Sequence, residues 1–354
     1  MTRIAADPEL TALAALSARL GRDPRRTQAA GGNTSIKRDG ALWIKASGLW
    51  LAQAQDEDIM VPVDLPSLRD ALASGDPGVE TITSFVVEAQ NPRNLRPSIE
   101  TSVHAVIPQT VVAHIHCVET IALAVRRDCQ ALVAARLSSL KDVVCVHVPY
   151  RRPGLPLAKA IAAALVPGAN VFILGNHGLV VAGASVAEIE QRLALVCDAL
   201  ASPARPAPPA DFDRLARAVQ GSEYRLPQST ATHALALDDV SRSHGRGGAL
   251  YPDHVIFLGP GVVEAESVAA GAAMRPAGGR DGPPLMLLIP GMGVVLHRST
   301  TIAADAMAQC LADVAARIPA GAALLRLTPQ EEFELTNWEA EKYRQALGAK
   351  SAAL

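Results

Sequence analysis

The chain has 354 residues, 49% of them hydrophobic and 19% charged, with a net charge of −2. It is long enough for one large core or two domains, and too apolar to be disordered. The near-neutral charge gives no basis for nucleic-acid or membrane-surface binding, and 3% aromatics provide few platforms on which bases could stack.

The opening stretch, MTRIAADPELTALAALSARLG, is interrupted by acidic residues and does not read as a signal peptide. No run approaches the ~20 apolar residues that span a bilayer. The five cysteines are odd in number and show no CxxC spacing, so reduced, mostly buried thiols in the cytoplasm are expected. Residues 8–21 carry apolar positions at helical spacing, with Pro8 at the start and Gly21 at the end, and predict a helix. Gly31-Gly32-Asn33-Thr34-Ser35 then forms a small polar loop. A hairpin follows from Ile36 to Lys45, turning at Arg38-Asp39-Gly40. Lys45-Ala46-Ser47-Gly48 is a second loop of the same kind. Residues 57–63 read as a strand and 65–73 as a helix. Ser98 to Ile107 reads as a helix capped by Ser98, with Glu100 and Thr101 in its first turn. His104, one turn after Glu100, reads as a packing residue or a support to the site, not a ligand.

Thr110 to His116 suits a strand. Residues 119–135 suggest a helix, 142–149 a strand bearing His147 in a core or edge role, and 156–165 a helix behind the loop at Tyr150-Arg151-Arg152. Val171 to Val181 reads as one strand carrying His177, and Ser185 to Leu200 as an amphipathic helix. Residues 202–212 are proline-rich and cannot continue that helix, so a linker is expected between domains at 1–201 and 213–354. Beyond it, 254–258, 285–289 and 293–296 are buried-strand candidates, and 300–318 and 330–347 are helix candidates. No dinucleotide fingerprint is present.

The chemistry gathers between Arg96 and His177. Side chains two apart on a strand share a face, so His114 and His116 make half of a tetrahedral metal site. His177 can add a third nitrogen and Glu100 an oxygen. Three nitrogens and one exchangeable position is the pattern of a catalytic zinc. A lone H-x-H is a weak signal, because histidines also serve in cores. Three buried imidazoles without partners would nevertheless leave several ring nitrogens unsatisfied. Cys117 falls on the opposite face from His116 and is a poor ligand.

Five ordered pieces carry a resemblance: Gly-Gly-Asn-Thr-Ser (31–35), Lys-Ala-Ser-Gly (45–48), Pro-Ser-Ile-Glu (97–100), His-Ile-His (114–116) and Asn-His-Gly-Leu (176–179). In this order and at these intervals they resemble the class II aldolase/adducin family, which includes the fuculose- and rhamnulose-phosphate aldolases. The resemblance covers roughly the first 200 residues. It implies a three-layer α/β/α sandwich around a mainly antiparallel sheet, with a smaller C-terminal α/β domain added here. It also implies a Zn2+ ion, or another divalent transition metal, on His114, His116 and His177. Glu100 would be the acid/base, and Asn33, Ser47, Gly48 and Ser98 would contact a substrate phosphate. The implied partners are a small sugar phosphate and copies of the chain itself, in a homo-oligomer such as the family's homotetramers.

The implied reaction is retro-aldol cleavage of a ketose 1-phosphate to dihydroxyacetone phosphate and an aldehyde, through a metal-stabilised enediolate. The same fold and metal also serve sugar-phosphate 4-epimerases and sugar-acid phosphate decarboxylases. Adducin-like interaction proteins keep the fold and lack the metal site. The aldolases' proton-donating tyrosine has no recognisable match here, although Tyr224 and Tyr251 are possible. Residues 251–254 and 337–343 resemble the end of the aldolase half of bifunctional rhamnulose-phosphate aldolase/alcohol dehydrogenases, whose dehydrogenase half has no counterpart in this sequence.

Overall fold

The computed structural model describes residues 7–276 and 282–339. The chain forms two compact units, one of 1–117 with 130–200 and one of 118–129 with 201–354.

The first unit opens with α1 (Pro8–Arg22), capped by Asp7 and burying Leu10, Leu13, Leu16 and Leu20 at helical spacing. Strands β1 (Asn33–Arg38) and β2 (Ala41–Lys45) form the predicted hairpin, but Asn33-Thr34-Ser35, expected in a loop, are already strand because they pair with residues 112–114. Arg38 pairs with Ala41, so Asp39-Gly40 is a two-residue turn with both φ positive, at 51° and 77°. Those angles match the right-handed twist of the two strands. Next come β3 (Met60–Asp64), α2 (Leu65–Ser74), α3 (Thr101–Val106) and β4 (Val111–Ile115). Helix α4 (Val118–Ala124) belongs to the second unit. The chain continues with α5 (Cys129–Leu137), β5 (Cys145–Val148), α6 (Leu155–Ala164), β6 (Val171–Leu174), β7 (Gly178–Gly183) and α7 (Val186–Ala199).

The seven strands lie in the order β3-β2-β1-β4-β7-β6-β5, and only the β5–β6 pair is parallel. One face carries Val112, Phe172, Leu174, Val180 and Ala182 and is covered by α3 and α6 through Val103, Ile107, Leu157 and Ile161. Helices α1 and α7 pack against the other face. This is the expected three-layer sandwich with a mainly antiparallel centre.

The second unit contains α4 and then α8 (Phe212–Val219), β8 (Tyr224–Arg225), α9 (Ala234–Leu237), α10 (Asp239–Arg246) and α11 (Pro252–Leu258). It continues with β9 (Val263–Glu264), α12 (Val268–Ala272), β10 (Met286–Ile289), β11 (Gly293–His297), α13 (Ile302–Ala315) and α14 (Pro329–Asn337). Its sheet runs β8-β11-β10-β9 over a core of Leu215, Tyr224, Leu287, Ile289 and Val295. Among the described residues no helix is long and apolar enough to cross a membrane.

Several expectations change. Residues 254–258 are helical, in α11. Pro252 starts the helix, Gly259 (φ 87°) ends it, and all seven residues are buried. A wholly buried helix has no polar stripe, so its apolar run mimics a strand. The helix expected over 119–135 breaks at 125–128. There Arg127 N and the Val125 carbonyl bond to Ala323 and Leu325, and Arg126 bridges Leu324. The single strand expected over 171–181 is a hairpin, β6 and β7, with Gly175-Asn176-His177 as its turn. The strand expected from residue 57 begins at Met60. Of the helix expected at 330–347, the part beyond Glu339 lies outside the described residues.

Candidate metal centre

The sheet register assembles the site. Asn33 pairs with His114, Ser35 with Val112 and His114 with Val180, so Asn33, Ser35 and His114 share the face covered by α3. His116 lies just past the end of β4. His177 sits in the β6–β7 turn rather than on a strand. The turn closes with His177 N donating to the Leu174 carbonyl and with Asn176 at φ 52°, a conformation asparagine tolerates.

Helix α3 starts later than predicted. Ser98 does not cap it. Glu100 holds the N-cap position, and its side chain makes no capping bond. The carboxylate turns instead towards the histidines. Its Oε2 lies 3.4 Å from His114 Nε2, and its Oε1 lies 3.5 Å from His177 Nε2. His114 Nε2 is 3.2 Å from His116 Nε2 and 3.3 Å from His177 Nε2. All four residues are buried. His114 Nδ1–H donates to the Leu179 carbonyl at 3.1 Å, which leaves Nε2 as a bare lone pair pointing at the cluster. Glu100 Oε1 is buried with no hydrogen-bond partner among the described residues. Nitrogen and carboxylate acceptors gathered this closely form a donor set for a divalent transition metal. The three imidazoles fit a metal-binding group.

Burial alone would push the Glu100 carboxyl up. The closeness of His114, His177 and His116, with the Asn33 hydrogen bond, works the other way and holds the carboxyl below its ordinary range. Asn33 Nδ2 donates to Glu100 Oε2 at 2.8 Å and to Ser98 Oγ at 3.1 Å. Ser47 and Gly48 follow β2 and are drawn to the 96–98 segment, where Ser47 N donates to the Arg96 carbonyl and Ser98 N to that of Lys45. Buried Lys45 ties the two small loops together, its Nζ donating to the Ala30 carbonyl at 2.9 Å and the Leu49 carbonyl at 2.6 Å. Neither this tie nor the part of Ser35, which bonds His104, was read from the sequence. Alternation along β1 is the signal that puts Ser35 on the same face as Asn33.

Other candidates have partners or places of their own. Cys117 Sγ points away from the cluster, 3.9 Å from Cys197 Sγ. His147 is half-buried on the edge strand β5. Arg152 pairs with Glu80 at 3.2 Å. In the second unit, the Tyr224 hydroxyl donates to the Pro284 carbonyl and that of Tyr251 to Cys310 Sγ.

The turn tolerates little change. A Cβ at Gly178 would meet the Ile115 carbonyl oxygen at 2.5 Å, with His114 Cε1 at 3.3 Å and His116 Cδ2 at 3.4 Å. Gly178→Ala is therefore expected to destabilise the first unit by about 1–3 kcal/mol and to weaken metal binding, read by thermal melting and zinc titration. Unchanged zinc affinity would show that the cluster does not depend on this close approach.

The first unit is thus a three-layer α/β/α sandwich with a buried three-histidine cluster at the end of a central strand, a group that could hold a metal ion. The chain belongs to the class II aldolase and adducin family, whose N-terminal domain model matches residues 11–201. The uncharacterized oxidoreductase YuxG of Bacillus subtilis (strain 168) is 28% identical over 167 residues, 43% of this chain and 23% of that protein. The chain thus spans less than a quarter of that relative. Solved structures with a similar fold include the N-terminal class II aldolase domain of a conserved protein from Thermoplasma acidophilum. That domain is 23% identical, covering 55% of this chain and 92% of that one, with a TM-score of 0.47. An L-fuculose-1-phosphate aldolase from Thermus thermophilus is 17% identical over 61% of this chain and 97% of its own, with a TM-score of 0.38.

Proposed function

We propose that this chain is a metal-dependent aldolase that reversibly cleaves a ketose 1-phosphate to dihydroxyacetone phosphate and an aldehyde. The observation that carries the reading is the convergence of three imidazole Nε2 atoms on the Glu100 carboxylate in a buried site of this family's fold. His114, His116 and His177 would hold the ion, with zinc the first candidate. A divalent cation there supplies Lewis acidity, drawing electrons from the ketone carbonyl and stabilising the negative charge that develops.

Glu100 does the proton work. As a carboxylate it takes the proton from the carbon beside the carbonyl in the synthetic direction and returns it after cleavage. Asn33 holds its Oε2, and Oε1, which has no hydrogen-bond partner among the described residues, would be the atom that takes the proton. Ser47, Gly48 and Ser98 would receive the phosphate on hydroxyls and amides, and Asn33 would turn towards it the Nδ2–H that now reaches Ser98 Oγ, beside a loop that Lys45 ties to the 30–32 segment. We also propose that the chain works in the cytoplasm as a homo-oligomer, as a homotetramer if it follows the family. An odd cysteine count without CxxC spacing supports a reducing compartment.

The test is deuterium exchange into dihydroxyacetone phosphate in heavy water, followed by NMR, with zinc and with chelator. This half-reaction needs no aldehyde. Zinc-dependent loss of the proton signal on the hydroxymethyl carbon is expected. A zinc-loaded protein that exchanges nothing would overturn the aldolase reading in favour of epimerisation or decarboxylation. A protein that binds no metal would favour an adducin-like interaction role.

A further inference from the structure

Two buried polar residues behind the proposed site have no part in the reaction as described. Ser35 Oγ and His104 Nδ1 are 2.6 Å apart, and His104 Nε2 and Asn33 Oδ1 are 2.5 Å apart. Both Ser35 and His104 are fully buried. The direction of each bond follows from the carboxylate outward. Glu100 can only accept, so the Asn33 atom facing it is the NH2 group. Asn33 Oδ1 then faces His104, whose Nε2 must carry the proton. Nδ1 is left as an acceptor, and the Ser35 hydroxyl donates to it.

We propose that His104 is a positioning residue. Oriented by Ser35, it locks the Asn33 amide with its NH2 towards Glu100 and so holds the carboxylate beside the histidine cluster. With the amide flipped, Asn33 Oδ1 would oppose the Glu100 oxygen, acceptor against acceptor, among fully buried side chains. Burial keeps the imidazole neutral. Together with the Lys37 charge it brings His104 down to about 3, against the opposing pull of Glu100. One ring proton is therefore available, and it goes to Asn33. The alternation of β1 makes the arrangement possible, because Asn33 and Ser35 lie on one face with His104 one turn beyond Glu100.

This inference rests on Glu100 acting as the base, so its test has an arm that does not use activity. The activity arm is a double-mutant cycle on zinc-loaded protein. His104→Leu is expected to lower kcat for dihydroxyacetone phosphate exchange about 10- to 100-fold with KM unchanged. The same change made on Asn33→Ala should cost nothing further. His104→Gln, which restores an N–H donor, should recover much of the rate. Losses that add in full, or a glutamine variant no better than leucine, would overturn the proposal. If His104→Leu fails to fold, Ser35→Ala takes its place in the cycle, with a smaller loss that also vanishes on Asn33→Ala. The second arm is NMR of 15N-histidine-labelled wild type, where His104 is expected as the Nε2–H tautomer and Ser35→Ala should mix the two tautomers. An Nδ1–H tautomer in the wild type would overturn the proposal. If wild type exchanges nothing but shows Nε2–H, the function assigned to the site fails while the positioning stands.

Discussion

Glu100→Gln is expected to abolish proton exchange on dihydroxyacetone phosphate while leaving zinc bound. Glutamine keeps the size and the acceptor oxygen that Asn33 Nδ2 now reaches at 2.8 Å, so the local packing survives. It removes only the ability to take a proton. A positioned acid/base contributes about 10²- to 10⁴-fold to such a step, and the neighbouring imidazoles would be engaged by the metal and not free to replace Glu100. Burial opposes its charge, but the histidine cluster beside it and the Asn33 amide lower its carboxyl below the ordinary range and keep it ionised. A carboxylate at neutral pH is the form a base needs. Alanine is the wrong choice here, because it would strand the Asn33 NH2 at a cost of about 1–3 kcal/mol and confuse chemistry with stability. Exchange rate and zinc stoichiometry are read on the same sample. A rate within about tenfold of wild type, well short of a general base's usual contribution, would take Glu100 out of the mechanism. Loss of zinc would recast it as a ligand.

The sequence spoke clearly wherever a local rule decides geometry. Arg38-Asp39-Gly40 announces the hairpin turn, because Asp-Gly readily accepts the two positive φ values that a tight turn needs, and pairing draws Arg38 into the strand. H-x-H on a β-branched stretch puts two imidazoles on one side because strand periodicity is two. It was misleading where tertiary contacts decide. His177 reads as a strand residue because hydrophobic residues flank it on both sides. The turn that lifts it towards His114 is visible only once β6 and β7 fold back on each other. Glu100 reads as a first-turn residue of a helix capped by Ser98, yet it stands at the N-cap itself and its carboxylate turns from the helix end towards the histidines and Asn33. His254 to Leu258 carries no periodic signal at all, because a buried helix is apolar on every side. The Ser35–His104–Asn33 chain was hidden for a related reason. It links a strand to a helix some 70 residues later, and its members look like ordinary core and cap residues.

His114→Ala is expected to remove both metal and turnover. His114 is the hub of the cluster, within 3.2 to 3.4 Å of His116, His177 and Glu100, and its ring is pinned from behind by the Leu179 carbonyl. Without it, two imidazoles remain at the mouth of a turn and at a strand end, with nothing to hold them to one point. Losing an outer contact to a metal ligand costs about 10- to 100-fold in affinity. Losing a central ligand outright should cost at least about 1,000-fold, well beyond that outer-contact range. A metal that binds only the folded state adds about 2.7 kcal/mol of stability at 100 times its dissociation constant. Zinc should therefore raise the melting temperature of the wild type and leave that of His114→Ala unmoved, a readout that needs no substrate. His147→Ala, on the edge strand β5, is the matched control and should keep the zinc-dependent shift. If His114→Ala binds zinc as tightly as wild type and melts with the same shift, the three-histidine cluster is not the metal site. The exchange reaction would then have to be sought elsewhere in the chain.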